Sequence, residues 1–452
     1  MKIVIIGGNG AGMTCAAKLQ RNLPKSEIVV FENSPYVSFG ACGLPYYIGN
    51  FFNNSNNLFA RTKEQLEATG FKIFTEHEVL NINPKTKTIE VKNLQKQTTF
   101  TTNYNKLVLA TGANAITLNL QGENISTVKT LAEADKIKNY LTKHKVKNIG
   151  ILGAGYIGLE LLEAFTNYNI NIIDLKSQLS QNFLDSEFEE VLAKEINSHS
   201  NIKLHLNTAF KELTNNQKNL TLHLINKQTQ KPFDIKVEFL IVALGFKPFI
   251  PEILHSKIKT LPNGAVLINQ KGETSIKDIY AAGDCASIWH NILKTQTYIP
   301  LATVANKMGK KVADTIAKHS NSFTGVLGSA CLKLLNLEIA KTGISESEAK
   351  ANNIPYVATF VKDYNHTNYY PNQAKLFMKI LHSPKTKKIL GAQLVGKNGT
   401  SLRLHALSVA IETGLTIEKL GNLDFAYAPP FNRTWEALNV LGNVAAKAKS
   451  SS

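Results

Sequence analysis

Two glycine-rich loops constrain this chain more than anything else in it. The first, Gly7-Gly8-Asn9-Gly10-Ala11-Gly12, ends a β-branched run over residues 2–7 and opens helix-like sequence from Met13 to Arg21. A strand over Glu27–Phe31 then ends at Glu32, twenty residues after Gly12. The second loop, Gly153-Ala154-Gly155-Tyr156-Ile157-Gly158, follows a strand over 148–152, precedes a helix over Leu159–Phe165, and is followed by a strand over Ile170–Ile173 ending at Asp174. Glycines in this spacing allow the tight turn, the close approach of a pyrophosphate to a helix N-terminus and close helix packing, and the acid accepts a ribose hydroxyl. A lone glycine motif is weak; strand, helix and acid in register make it specific. In the first loop Asn9 stands at the middle glycine position, with Gly8 and Gly10 keeping the loop flexible. Asp174 repels a 2′-phosphate, which favours NADH over NADPH, and Lys176 softens that preference. The first glycines of the loops are 146 residues apart, so the chain carries an internal duplication of a dinucleotide-binding half.

Each half closes on a buried strand and a small-residue turn: Lys106 to Thr111-Gly112 in the first, Phe239 to Leu244-Gly245 in the second. The element Ile279-Tyr280-Ala281-Ala282-Gly283-Asp284 reads either as a strand placing Asp284 beside a hydroxylated ligand chain or as an ordinary helix cap. Residues 300–317 read as a helix that includes Asn306. From about 325 no nucleotide motif occurs; strands over Ala374–Leu381 and Ile389–Val395 flank a Ser383-Pro384 turn. Helices are expected over 400–413, over 416–421 and from Thr434, before a frayed tail of Ala, Lys and Ser. The expected fold class is α/β: two Rossmann-like dinucleotide-binding domains and a C-terminal α+β domain. The expected boundaries are 1–118 with 246–322, then 119–245, then 323–452.

One cysteine stands in an unusual place, within Tyr36-Val37-Ser38-Phe39-Gly40-Ala41-Cys42-Gly43-Leu44-Pro45-Tyr46-Tyr47. Pro45 suits the first turn of a helix, which would set Cys42 just before it, where open N–H groups and the positive dipole end favour a thiolate. The four cysteines (15, 42, 285 and 331) show no C-x-x-C spacing and no metal-ligand cluster. Cys285 and Cys331 read as structural, free cysteines usually being inert small hydrophobes. With Tyr47 where a C-x₄-C pair would place its second sulfur, Cys42 has to cycle with an external sulfur or oxygen.

A net charge of +17 raises nucleic acid or an anionic membrane as partners, but the lysines are scattered and no nucleic-acid motif occurs. A positive field also suits polyanionic nucleotides and coenzyme A. The longest apolar runs are strand-sized and the N-terminus enters a glycine turn at once, so neither a membrane span nor a signal peptide is read, and the expectation is a cytoplasmic protein. On the first helix Thr14, Lys18 and Arg21 share one face, a solvated side or a phosphate contact.

Together the two modules, the Ala110-Thr111-Gly112 and Ala281-Ala282-Gly283-Asp284 elements and the C-terminal domain resemble the pyridine nucleotide-disulfide oxidoreductases, over nearly the whole chain. The cysteine loop is similar to that of the single-cysteine branch, which holds coenzyme A-disulfide reductases, NADH oxidases, NADH peroxidases and persulfide reductases. The resemblance implies FAD on Gly7–Gly12, Glu32, Thr111, Gly112, Gly283 and Asp284. It implies NADH or NADPH on Gly153, Gly155, Tyr156, Ile157, Gly158, Asp174 and Gly245, and a homodimer through the C-terminal domain. Oxidases and peroxidases of the branch carry a histidine where this chain has Gly10, and Tyr427-Ala428-Pro429-Pro430 looks like the reductases' C-terminal signature. A coenzyme A-disulfide reductase is therefore implied, with electrons passing from NADH through flavin to a mixed disulfide on Cys42. Tyr427, Tyr369 or Tyr370 would act at the neighbouring subunit's site, and Thr14, Lys18, Arg21, Ser38, Asn306 and Trp435 would contact coenzyme A. Ala41 stands where reductases often have Asn. An oxidase, peroxidase or persulfide reductase is the alternative activity, and a non-catalytic redox sensor the remaining reading.

Overall fold

The computed structural model describes residues 1–216, 218–251, 257–321 and 323–448. The chain forms two compact units: Met1–Leu44 with Asn53–Ala115 and Phe246–Val326, and Pro45–Phe52 with Ile116–Gly245 and Leu327–Ser452.

The first unit is built on a five-stranded sheet ordered Lys72–Phe74, Glu27–Phe31, Lys2–Ile6, Lys106–Leu109, Ile279–Ala281. Its strands run parallel, with Ile3 opposite both Ile28 and Lys106. Ile3, Val4 and Ile5 are fully buried because both faces are covered, which is why the run reads as continuous rather than alternating. Helices Gly10–Asn22 and Ala302–Ile316 pack against each other. A Cβ on Gly309 would lie 2.2 Å from Ala11 O, so they meet backbone to backbone. An antiparallel meander over His77–Asn83, Thr88–Asn93 and Thr98–Asn103 turns at Asn83-Pro84.

The second unit repeats the plan. Its parallel sheet runs Ile202–His205, Asn169–Ile173, Asn148–Leu152, Phe239–Val242, Ile125–Ser126. The order matches the first sheet strand for strand, except that the last strand precedes the glycine loop in sequence instead of following it. Leu220, Leu222 and Leu224 of the meander strand Asn219–Asn226 fill its core with Leu240 and Val242. The C-terminal part is a five-stranded antiparallel sheet ordered Ala330–Leu334, Leu337–Gly343, Ile389–Gly396, Lys375–His382, Val357–Tyr364. Helices Thr400–Glu412, Ile417–Gly421 and Ala437–Lys447 accompany it. The α/β class expected from the sequence is the fold observed.

Local differences have local causes. Both nucleotide helices begin earlier than their apolar periodicity indicated, at Gly10 and Tyr156, because Gly10, Gly12 and Gly158 are themselves part of the first helical turns. The last helix begins at Ala437 rather than Thr434, since the Glu436 carboxylate caps it by accepting from the Leu438 N–H. Of the expected frayed tail, residues 449–452 lie outside the described residues. Among the described residues no helix is long and apolar enough to cross a membrane, and no group of three or more His, Cys, Asp or Glu is arranged to hold a metal.

Candidate active site

The first glycine loop is a cradle that side chains would fill. Gly7 has φ +110°, and a Cβ there would sit 2.1 Å from Ala110 O; one on Gly12 would sit 1.9 Å from Gly7 O. Asn9 caps the helix in extended conformation with no side-chain bond to its first turn, which also contains no acid. That leaves the amides at its positive end to a ligand. Glu32, 7% exposed, accepts from Gly8 N at 2.6 Å and Ser34 N at 2.8 Å, which fixes the carboxylate beside the loop. Thr111 donates to Phe249 O, and Gly112 has open space around it at φ +70°. Gly283, at φ +83°, lies against the same helix, where a Cβ would be 2.9 Å from that of Ala11. The backbone carbonyl of Asp284 accepts from the Tyr298 hydroxyl at 3.1 Å.

The cysteine loop is tied to this cradle. Ser38, in the left-handed region at φ 56°, donates its N–H to Gly8 O at 2.9 Å, and Phe39 N donates to Asn9 Oδ1 at 3.1 Å. Cys42 lies in a single 3-10 turn, Ala41–Gly43, and its residue is exposed. The helix that follows is only Leu44–Ile48, ended by Gly49 and by Asn50 at φ 58°. Pro45 is in its first turn, but five residues carry little macrodipole, so the expected helix-terminal support for a thiolate reduces to one turn of 3-10 backbone.

Of the predicted substrate residues, Thr14 donates to Asn306 Oδ1 at 3.2 Å, joining the two packed helices. That same Asn306 oxygen lies 3.0 Å from where a Cβ on Gly10 would stand, so a bulky side chain at position 10 would press on it. Lys18 lies 3.4 Å from the nearly buried Asp314. Burial opposes ionisation of that carboxyl, yet bonds from Asn321 and Asn22 and the Lys18 charge hold it below the ordinary range. Sequence reading missed Asp314; its partners Lys18 and Asn22 lie almost 300 positions away. Arg21, in the last turn of the first helix, is exposed.

The second unit holds the other predicted residues in two groups. Gly153, at φ +104°, and Gly158 repeat the first cradle: their Cβ atoms would stand 2.5 Å from Ala243 O and 2.0 Å from Gly153 O. Gly155 caps the helix Tyr156–Ala164 with open space around it, and no side chain caps that helix. Asp174 accepts from Ala154 N at 2.7 Å and Lys176 N at 2.8 Å. Ile157 is half-buried in the first helical turn, and Gly245 is open at φ +97°. Burial pushes the Tyr156 hydroxyl up to about 12. Glu160, one turn on, is pushed up to about 7 by burial and by Glu163.

In the C-terminal part the Tyr369 and Tyr427 hydroxyls meet at 2.8 Å. That hydrogen bond raises the Tyr427 pKa above its ordinary value. Tyr370 stands apart from the pair, edge-on to His366 at 5.5 Å between ring centroids. Tyr369 and Trp435 are 71% and 60% exposed. Cys285 is buried, its thiol donating to Leu109 O at 3.4 Å. Cys331 is not: it faces out from the edge strand Ala330–Leu334. Partial desolvation and the charges of Glu160 and Glu338 raise its pKa and keep it a thiol.

Residues 1–309 match the pyridine nucleotide-disulphide oxidoreductase family, and residues 329–438 match that family's dimerisation domain. The chain belongs to this family. It is 32% identical to an NADH oxidase of Enterococcus faecalis, over 98% of this chain and 99% of that protein. It is 30% identical to a coenzyme A disulfide reductase of Staphylococcus haemolyticus, over 98% of each. Among solved structures, the water-forming NADH oxidase from Lactobacillus brevis bound to NADH superposes with a TM-score of 0.91 at 28% identity, covering 99% of this chain and 98% of that one. The chain is thus an oxidoreductase of a flavin- and NAD(P)H-dependent family, and its relatives divide between sulfur and oxygen as acceptor.

Proposed function

We propose that this oxidoreductase is an FAD-dependent coenzyme A-disulfide reductase that uses NADH and carries its chemistry on Cys42. The carrying observation is the exposed Cys42 turn, bonded through Ser38 and Asn9 to a glycine cradle shaped for a dinucleotide. The cradle fits FAD: the glycines leave room, the helix amides are uncapped, and Glu32 stands where a ribose hydroxyl would bond. Thr111, Gly112, Gly283 and Asp284 complete that site. Gly153, Gly155, Tyr156, Ile157, Gly158, Asp174 and Gly245 hold the pyridine nucleotide, and the Asp174 carboxylate disfavours a 2′-phosphate. Bound FAD supplies a two-electron relay between nicotinamide and sulfur.

The remaining steps belong to the protein. The Cys42 thiolate attacks one sulfur of coenzyme A disulfide; that S–S bond breaks, a Cys42–coenzyme A disulfide forms, and one coenzyme A leaves as thiolate. Two electrons and a proton from NADH then cleave the mixed disulfide, returning Cys42 as thiolate and the second coenzyme A as thiol. Tyr427, held by Tyr369, donates a proton to the first leaving thiolate and takes one back from water, the second proton that the release of two thiols per NADH requires. Its raised pKa keeps that proton in place at neutral pH. In a homodimer through the dimerisation domain, this pair serves the partner's cysteine. Thr14, Lys18, Arg21, Ser38, Asn306 and Trp435 bind coenzyme A; Tyr370, outside the tyrosine pair, has a packing role.

An NADH oxidase is the second reading, favoured by the Enterococcus relative. Gly10 weighs against it, because Asn306 stands against the position where the branch's oxidases carry histidine. Anaerobic turnover of FAD-loaded protein with NADH and coenzyme A disulfide separates the two. Two thiols released per NADH support the reductase. No thiol release, with rapid NADH oxidation once air is admitted, overturns it.

A further inference from the structure

A lysine with no exposed surface lies in the middle of strand Lys375–His382. The Lys379 ammonium contacts three carboxylates: Glu187 at 2.6 Å, Glu346 at 3.2 Å and Asp185 at 3.3 Å. Asp185 and Glu187 belong to the segment that leaves Asp174, the ribose-facing acid of the second glycine loop. Gln393, 2% exposed on the adjacent strand Ile389–Gly396, holds Asp185 twice: its Oε1 accepts from Asp185 N and its Nε2 donates to Asp185 Oδ2, both at 2.8 Å. Glu346 N donates to both Asp185 oxygens at 3.2 Å. Asp185 is thereby saturated by the C-terminal sheet and by the start of helix Glu346–Ala351.

Such a cluster is costly to assemble, since each ion gives up its hydration. The neighbouring geometry shows what the cluster fixes. Phe183, two residues before Asp185, packs its ring 5.8 Å from that of Tyr156, inside the glycine loop. Leu179 and Leu184 of the same segment are buried, and Lys176 Nζ bonds back to Gln181 O at 2.7 Å. The segment over 175–188 therefore forms a wall from Asp174 to Tyr156, and among the described residues its far end bonds to the C-terminal strands and to the start of that helix. Without that anchor the wall keeps only its near-end bonds, Asn207 N to Lys176 O at 2.7 Å and Ser180 N to Glu189 Oε2 at 2.9 Å among the described residues, and the packing of Phe183, Leu179 and Leu184.

We propose that Lys379 and Gln393 are positioning residues for the pyridine nucleotide: by pinning Asp185 they set the shape of the pocket beside Asp174 and Tyr156. This rests on the reading that the second glycine loop binds NADH. The cluster contacts neither nucleotide nor disulfide; it acts through the wall.

The test uses FAD-loaded Lys379→Met, Lys379→Arg and Gln393→Leu proteins, with KM for NADH, KM for coenzyme A disulfide, kcat and flavin content read on each. Gln393→Leu removes both bonds to Asp185 without stranding a charge, so it decides the matter if Lys379→Met fails to fold. The expected result is a KM for NADH raised about tenfold or more, within the ~100-fold that an ångström-scale misplacement costs. Flavin content and the KM for disulfide stay at wild-type values, and Lys379→Arg recovers most of the loss. Unchanged KM for NADH in Gln393→Leu overturns the proposal, as does an equal shift in both KM values, which marks a merely structural cluster. Failure of the wild-type flavin to be reduced by NADH would instead refute the assignment of the second loop.

Discussion

Replacing Gly158 by alanine should separate the two glycine cradles. Its backbone is not in the left-handed region, so alanine brings no torsional strain there, only a methyl group. That methyl would stand 2.0 Å from Gly153 O and 3.1 Å from its carbon, both rigid backbone. An ordinary contact needs about 3.4 Å, so helix and loop must part by over ~1 Å, an overpacking cost of about 1–3 kcal/mol. That is a fraction of the ~5–15 kcal/mol that holds a domain folded, so the protein should purify intact. It is also a displacement of the scale that costs ~100-fold in a positioned reaction. Anaerobic titration of enzyme-bound flavin with NADH should show apparent affinity falling by about ten- to hundredfold at unchanged flavin content. Gly12→Ala, whose methyl would lie 1.9 Å from Gly7 O, should instead purify with little flavin. Wild-type NADH affinity in Gly158→Ala, or loss of flavin from it, would refute the assignment of the two loops.

Three other outcomes are expected. Tyr427→Phe removes the bond to Tyr369, and turnover with coenzyme A disulfide should drop about tenfold or more while flavin reduction by NADH is unaffected; a matching loss in both would remove Tyr427 from the thiol half of the reaction. Glu160 is held near pH 7 when folded against 4.5 unfolded, so its stabilisation is complete below about pH 4.5 and lost as pH rises through 7, a swing of about 3 kcal/mol. Melting temperatures should show Glu160→Gln gaining on wild type between pH 5 and 8, and no pH-dependent difference contradicts this. His382 is fully buried with both ring nitrogens lacking hydrogen bonds, and burial, aided by Lys387, lowers its pKa. The unfolded chain then binds the proton more readily, so stability is complete above about pH 6.5 and falls with acid; His382→Leu should lose less stability than wild type from pH 7.5 to 5.

Much of the architecture is legible in the sequence because the nucleotide halves are local devices. Gly7, Gly12 and Glu32 sit within one strand–helix–strand unit, and so do Gly153, Gly158 and Asp174, so chain spacing carries their geometry. The helix start at Pro45 was legible, but its shortness was not, because Gly49 and Asn50 stop the helix one turn later. The exposure of Cys331 was not legible, because side chains alternate between the two faces of a strand and which face is covered depends on distant elements. What remained hidden is long-range: Thr14 meets Asn306, Tyr369 meets Tyr427, and Lys379 meets Glu187 across 192 positions. Lys379 did leave one signal, a lysine inside Leu376-Phe377-Met378-Lys379-Ile380-Leu381, where a strand covered on both faces has no place for an unpaired charge.

The central claim is that Cys42 exchanges with a coenzyme A disulfide, and intact-protein mass spectrometry tests it most directly. Oxidant-free enzyme mixed with coenzyme A disulfide, without NADH, should gain one coenzyme A per chain. Peptide mapping should put it on Cys42, although Cys331 is also exposed, and NADH should remove it. An adduct on Cys331, or an unmodified Cys42 that takes up oxygen only after peroxide, would contradict the account.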